Sequence, residues 1–157
     1  MLSVHQPKLF SRNLELYDGS TQVATIGFRA FSRLAEIQVG GTSYTAGRSG
    51  WFQVVYSMQH GEAIIATAEP TGFWRRTFEL RTPAGAFTLR REPGWMPRGW
   101  VLLDGDSQAG SVTRRGFFQT ETVAEFDPKI DLATQVFVVW FANVLWQQDR
   151  AAAAAAG

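Results

Sequence analysis

The stretch Leu132 to Trp146, LATQVFVVWFANVLW, limits what this chain can fold into more than any other. It follows Asp131, a residue type that caps helix N-termini. At about 100° per residue, Leu132, Val136, Trp140 and Val144 fall on one side of a helix, with Ala133, Phe137, Phe141 and Leu145 on the others. The polar residues Thr134, Gln135 and Asn143 share no stripe. A helix without a polar face must be enclosed by protein or by lipid. Fifteen residues interrupted by two amides fall short of the roughly 18 expected of a membrane span. Lys129 and Arg150 flank the run as they would an anchor, so a C-terminal membrane anchor is the competing reading.

Everything before that helix reads as β-structure. Turn signals recur at Asp18-Gly19, Gly40-Gly41, His60-Gly61, Pro83-Ala84-Gly85 and Asp104-Gly105. Each lies between two runs of β-type residues, as in FELR-TPAG-AFTLRR, which is the pattern of a β-hairpin. Strands are expected at about 13–18, 21–29, 34–39, 42–47, 51–59, 62–68, 76–81, 86–91, 98–103, 108–115 and 117–126. Hairpins at this spacing suit a sandwich as well as a barrel. The helix discriminates between them. A sandwich fills its core with its own side chains and has no room for a rod about 10 Å wide. A barrel of ten or more strands has a lumen that must be filled. Residues 132–149 would span roughly 27 Å, close to the height of such a barrel. The expected fold is mainly β: a closed antiparallel barrel of about 12 strands enclosing one apolar C-terminal helix. Residues 1–150 form this single domain, with the central helix at 131–149 and an Ala-rich tail at 151–157 that either lengthens the rod or frays from it.

Composition removes several function classes. A net charge of +1 gives no global case for nucleic-acid binding, and none is expected. The absence of cysteine excludes disulfides, thiolate zinc sites and a Cys nucleophile. His5 is expected in a mobile end and His60 in a turn, and Gly47-Arg48-Ser49-Gly50 is not a nucleophile elbow. No phosphate-cradling glycine motif occurs, so neither a catalytic residue nor a cofactor is assigned. The N-terminus lacks a basic head followed by an apolar core, which predicts no signal peptide and a cytoplasmic location, peripheral to the membrane if lipid is the partner. Thirteen arginines against two lysines, and a run of six alanines, suit a GC-rich, bacterial genome.

A series of hairpins closed by one apolar helix, entered through FDPKIDLATQVFVVW, resembles the tubby C-terminal-like superfamily. That superfamily comprises tubby proteins, phospholipid scramblases and LURP-one-related proteins. The resemblance covers nearly the whole chain and is carried by pattern; its most specific piece is the Asp131-Leu132 step after Phe126-x-Pro128. It implies a twelve-stranded barrel around a central helix and work on phospholipids. The scramblase-like calcium segment and the lysine-rich phosphoinositide pockets of tubby are absent from this sequence.

Three groups of residues are candidates for chemistry. Asp127 and Asp131 straddle the helix entrance; with Glu125 they are weak candidates for a calcium site, and Asp131 is better read as the helix cap. Trp51, Trp74, Trp95, Trp100, Trp140 and Trp146 suit core packing better than a binding face, with Trp95 expected to be exposed. The arginines are the strongest lead. If the hairpin turns share one rim, then Arg29, Arg33 and Arg48, with the anion-binding candidates Arg75, Arg76, Arg90, Arg91, Arg98, Arg114 and Arg115, collect at the other. Asp18, Glu62, Asp104, Asp106 and Asp127 would then lie at the turn rim. Neighbouring residues on a strand face opposite ways, so one arginine of each doublet is expected to aim at the lumen unless the doublet ends the strand. The reading that follows is a non-enzymatic binding module for an anionic lipid headgroup, a phosphorylated ligand or a protein partner. A scramblase-like lipid-handling protein and an enzyme with an unidentified carboxylate site are the alternatives.

Overall fold

The computed structural model describes residues 1–7, 13–28, 34–71, 77–93, 99–115 and 121–156. Twelve antiparallel strands close into a barrel, each paired with its sequence neighbour and the first with the last. In chain order they are β1 (Leu2–His5), β2 (Asn13–Asp18), β3 (Thr21–Phe28), β4 (Leu34–Val39), β5 (Thr42–Ser49), β6 (Val55–His60), β7 (Ala63–Thr71), β8 (Thr77–Thr82), β9 (Gly85–Arg91), β10 (Gly99–Asp104), β11 (Ser107–Arg115) and β12 (Glu121–Phe126). The helix α1 (Leu132–Ala156) follows.

Short glycine turns join the strands at one rim, and Gly19, Gly40, Gly61 and Gly105 all adopt φ near +60°, where only glycine is unstrained. β12 also ends at this turn rim, so α1 enters the barrel there and runs out through the other. Stretches 8–12, 29–33, 72–76, 94–98 and 116–120 lie outside the described residues.

Closure depends on a strand that the turn pattern does not announce. β1 pairs with both β12 and β2, with Ser3 opposite Val123 and Tyr17. His5 is therefore held at the end of a strand, and is not in a loose terminus as its position suggests. The alternation of Leu2 and Val4, both buried, is the signal that placed it there. A second difference lies at β6, which begins at Val55 where a strand from residue 51 was expected. Gly50 explains it. Its φ is +94°, and a Cβ at this position would lie 1.8 Å from the Gln53 carbonyl oxygen, so the chain makes a glycine-specific bend instead of extending.

The lumen is filled as the helix requires. Val136, Phe137, Val138, Val139, Phe141 and Ala142 are completely buried, with Trp140, Leu145 and Trp146 nearly so. Around them stand the inward residues of the wall, among them Leu16, Ile26, Ile37, Met58, Leu80, Leu89, Leu102 and Val112. Phe78 meets Phe141 edge-on at 4.9 Å between ring centroids, and Tyr56 lies 4.8 Å from the same ring. Val144 is only half-buried, because it borders a cleft described below. The helix has 25 residues, about 37 Å at 1.5 Å per residue. Strands of six to nine residues span about 20–30 Å. The surplus emerges from the barrel: α1 continues past the expected end at 149 to Ala156, as a run of alanines favours.

Because wall and helix bury each other, removing one central side chain should be expensive. Phe141→Ala should lower unfolding free energy by about 3–5 kcal/mol in denaturant melts. Truncation after Pro128 should abolish cooperative unfolding, and a soluble truncated protein with a sharp transition would contradict the account.

Candidate functional site

At the helix entrance the carboxylates perform a structural task. Asp131 Oδ2 accepts from the Thr134 backbone N–H at 3.1 Å, and Oδ1 accepts from the Thr134 hydroxyl at 2.6 Å. The Asp131 carbonyl accepts the first helical bond, from Gln135 N, at 3.1 Å. This is a complete N-cap, and it satisfies the hydroxyl of the fully buried Thr134 as well. Asp127 accepts from the Lys129 backbone N–H at 3.0 Å. Among the described residues no three His, Cys, Asp or Glu side chains gather as metal ligands. The two histidines are far apart: His5 contacts Tyr17 towards the exit rim, and His60 lies against Tyr44 at the turn rim.

The exit rim has a different character. Strand parity sorts the arginines as the doublets imply. Arg91 follows inward-facing Leu89 in phase, and Arg114 follows Val112. Arg48 follows buried Ala46 and is paired across the ladder with buried Tyr56, but its own side chain is exposed. Arg90 and Arg115 face outward and are exposed. Two of the inward guanidiniums are held by the helix as it leaves. Arg91 makes an ion pair with Asp149 and lies 5.3 Å from the Trp100 ring centroid. Arg114 lies 4.1 Å from the Trp146 ring centroid and donates to Asn143 Oδ1 at 3.5 Å. Burial, then the nearby Arg150 charge, lowers the Arg114 guanidinium to about 10, which leaves it cationic at neutral pH. Arg48 makes no ion pair among the described residues. Arg75, Arg76 and Arg98 lie outside the described residues, as do Arg29 and Arg33.

The separation of charge is therefore partial. Asp18, Glu62, Asp104, Asp106 and Asp127 do stand at the turn rim, but Glu92, Glu121 and Asp149 interleave with the arginines at the other. The tryptophans divide as well. Trp100, Trp140 and Trp146 are buried, Trp74 and Trp95 lie outside the described residues, and Trp51 belongs to no core. With Phe52 it sits in the β5–β6 connection at the exit rim, and both side chains are as exposed as in an open chain, at 99% and 101%.

Three polar tethers join the helix to the wall here: Tyr56 Oη accepts from Gln148 Nε2 at 2.6 Å, beside the Arg91 and Arg114 contacts. Between them the mouth is not filled. After Trp146 the helix reads Gln147, Gln148, Asp149, Arg150 and then alanine, with no large apolar side chain to reach the wall. One cleft, of about 320 Å³, is lined by Phe28, Leu34, Arg48, Tyr56, Trp140 and Val144 with the helix residues Gln147, Gln148 and Ala151. A second, of about 310 Å³, lies across the Tyr56–Gln148 bond, between Pro70, Phe78, Arg91, Trp100 and Asp149. The indole Nε1–H groups of Trp140 and Trp100, one lining each cleft, are buried and find no acceptor among the described residues. A buried unsatisfied donor costs about 1–3 kcal/mol. The sequence carried no sign of the clefts, because they arise where the helix and strands remote in sequence fail to meet.

The cap assignment makes a quantitative prediction. Asp131→Asn should keep most stability, since Asn caps about as well, and Asp131→Ala should lose about 1 kcal/mol in chemical melts. Calcium raising the melting temperature of the wild type but not of Asp131→Asn would show chelation instead.

No helix among the described residues is long and apolar enough to cross a membrane. Comparison with protein-family models, with curated proteins and with solved structures gives no match to this chain.

Proposed function

We propose that this protein is a non-enzymatic binding module that docks by its exit rim onto an anionic lipid surface. The observation that carries this reading is the pair Trp51 and Phe52, wholly exposed at the same end of the barrel as Arg90, Arg115 and Arg150. Aromatic side chains held in water by a glycine-specific bend lose hydrophobic stabilisation that burial elsewhere would give. At a bilayer they regain it, since tryptophan favours the headgroup region. Exposed guanidiniums beside them supply attraction to phosphate and carboxylate headgroups, worth about 1 kcal/mol each near a charged membrane. Arg91 and Arg114 are engaged with the helix and serve the barrel, so the outward arginines carry the interaction. The resemblance to tubby-like proteins agrees with a lipid-facing role, and the twelve-stranded barrel around a helix is the fold that resemblance implies.

Sedimentation with vesicles tests the proposal. The protein should pellet with phosphatidylserine-containing vesicles at low salt and less so near 0.15 M, where exposed charges are screened over about 8 Å. The triple variant Arg90→Gln, Arg115→Gln, Arg150→Gln should weaken binding without lowering the melting temperature. Trp51→Ala with Phe52→Ala should weaken it at either salt concentration. An absence of pelleting by the wild type at low salt would end the lipid reading.

A further inference from the structure

We infer that the cleft between α1 and strands β3 to β6 is a binding site for a small amphipathic anion, of the chemical class of a medium-chain carboxylate. The inference does not depend on the membrane-docking proposal, because it concerns a molecule held inside the barrel mouth.

Three features of the cleft point to the same kind of ligand. Its walls are apolar over Phe28, Leu34, Ala35, Trp140 and Val144, which suits a hydrocarbon body. Its volume, about 320 Å³, lies at the lower end of small-molecule sites, about 300–1,000 Å³, and so suits one short chain rather than a two-chain lipid. Arg48 completes the lining and stands in the inward phase of β5, yet it has no ion pair among the described residues. The other two inward arginines are already engaged, Arg91 by Asp149 and Arg114 by Asn143 and Trp146. An uncommitted guanidinium beside an apolar cleft matches a carboxylate head on an apolar tail.

The fourth feature is the Trp140 indole. It is 2% exposed, it lines the cleft, and its Nε1–H has no acceptor among the described residues. Because that nitrogen is covered, a ligand in the cleft meets the ring rather than the donor, and Arg48 alone engages the carboxylate head. The neighbouring cleft also holds an unpartnered indole, that of Trp100, but its arginine is neutralised by Asp149, so it does not present the same free cation. The helix keeps the site open by its own composition: Ala151 stands where a larger side chain would fill the space.

Titration calorimetry with decanoate, held below micelle-forming concentrations, tests the inference on the intact chain. Decanoate should bind with one site per chain, and acetate, which has the head without the chain, should not bind measurably. Ala151→Trp, on an exposed part of the helix, should weaken decanoate at least ten-fold by occupying the cleft, while leaving vesicle sedimentation unchanged. Arg48→Gln should weaken it by up to about five-fold, the range of an exposed ion pair. In proton–nitrogen spectra the Trp140 indole resonance, assigned by its loss in Trp140→Phe, should shift on decanoate binding, because its ring lines the cleft. Failure of decanoate to bind would overturn the inference, as would binding that Ala151→Trp leaves intact. Equal binding of acetate would reduce the site to a lone arginine and overturn it too. Each of these outcomes leaves the vesicle experiment to be decided by Trp51, Phe52 and the outward arginines.

Discussion

A barrel of twelve strands cannot fill itself, and the burial of α1 in its lumen is the interaction on which the rest of this structure depends. About eight strands give an interior that wall side chains alone can occupy. With twelve, the inward residues on opposite sides cannot meet, and without a central rod they would face water or a void. The helix has the converse need, since every one of its faces is apolar through the barrel. Neither element has a stable form alone, so the hairpins and the final helix are parts of one cooperative unit. The small wall residues Ala24, Ala35, Ala46, Ala66, Ala68 and Ala124 fit this arrangement: a wall of uniformly large residues would leave no room for Phe137, Trp140 and Phe141.

Polar side chains of the helix inside such a core find their partners mostly in the helix itself. Thr134 is held by the Asp131 carboxylate, and Gln135 donates to the Ile130 carbonyl at 2.7 Å. Asn143 donates to the Val139 carbonyl at 3.1 Å and accepts from Arg114. These three residues share no stripe because each meets a different need: two close the entrance, and the third lies near the exit where the wall offers a cation. At the exit, the contacts of Arg114, Arg91 and Tyr56 with Asn143, Asp149 and Gln148 tie the rod to the wall and resist sliding along the barrel axis, which apolar contacts alone would permit at little cost.

Much of this was legible in the chain because it follows from local rules. Turn glycines marked the hairpins, Asp131 marked the helix start, and the unbroken apolar surface of the helix demanded a lumen. Alternation along a strand also required that one arginine of each doublet aim at the lumen unless the doublet ends the strand, and the structure shows these to be Arg91 and Arg114. What escaped was non-local. β1 has no turn signal before it and is defined by pairing with β12, more than a hundred residues away. Trp51 and Phe52 resemble strand residues by type, and only the positive φ of Gly50 turns them outward. The clefts depend on a helix and a wall that part company at one level of the barrel, which no window of sequence can display.

The two ends of the barrel thus differ for a physical reason that begins in α1 itself. Where its side chains are Phe137 and Phe141, they reach the wall and are completely buried. Past Trp146 they shrink to amides and alanines, while the strands continue alongside with Arg48, Tyr56, Arg91 and Trp100 still facing inward. The wall keeps its full diameter as the rod thins, so space, cations and unpartnered indole donors all collect at the same level. Tight turns and a complete N-cap close the opposite end and leave little there for a ligand to satisfy. A binding function is therefore best sought where the helix stops filling the barrel, because there, among the described residues, the requirements of folding leave space and a cation uncommitted.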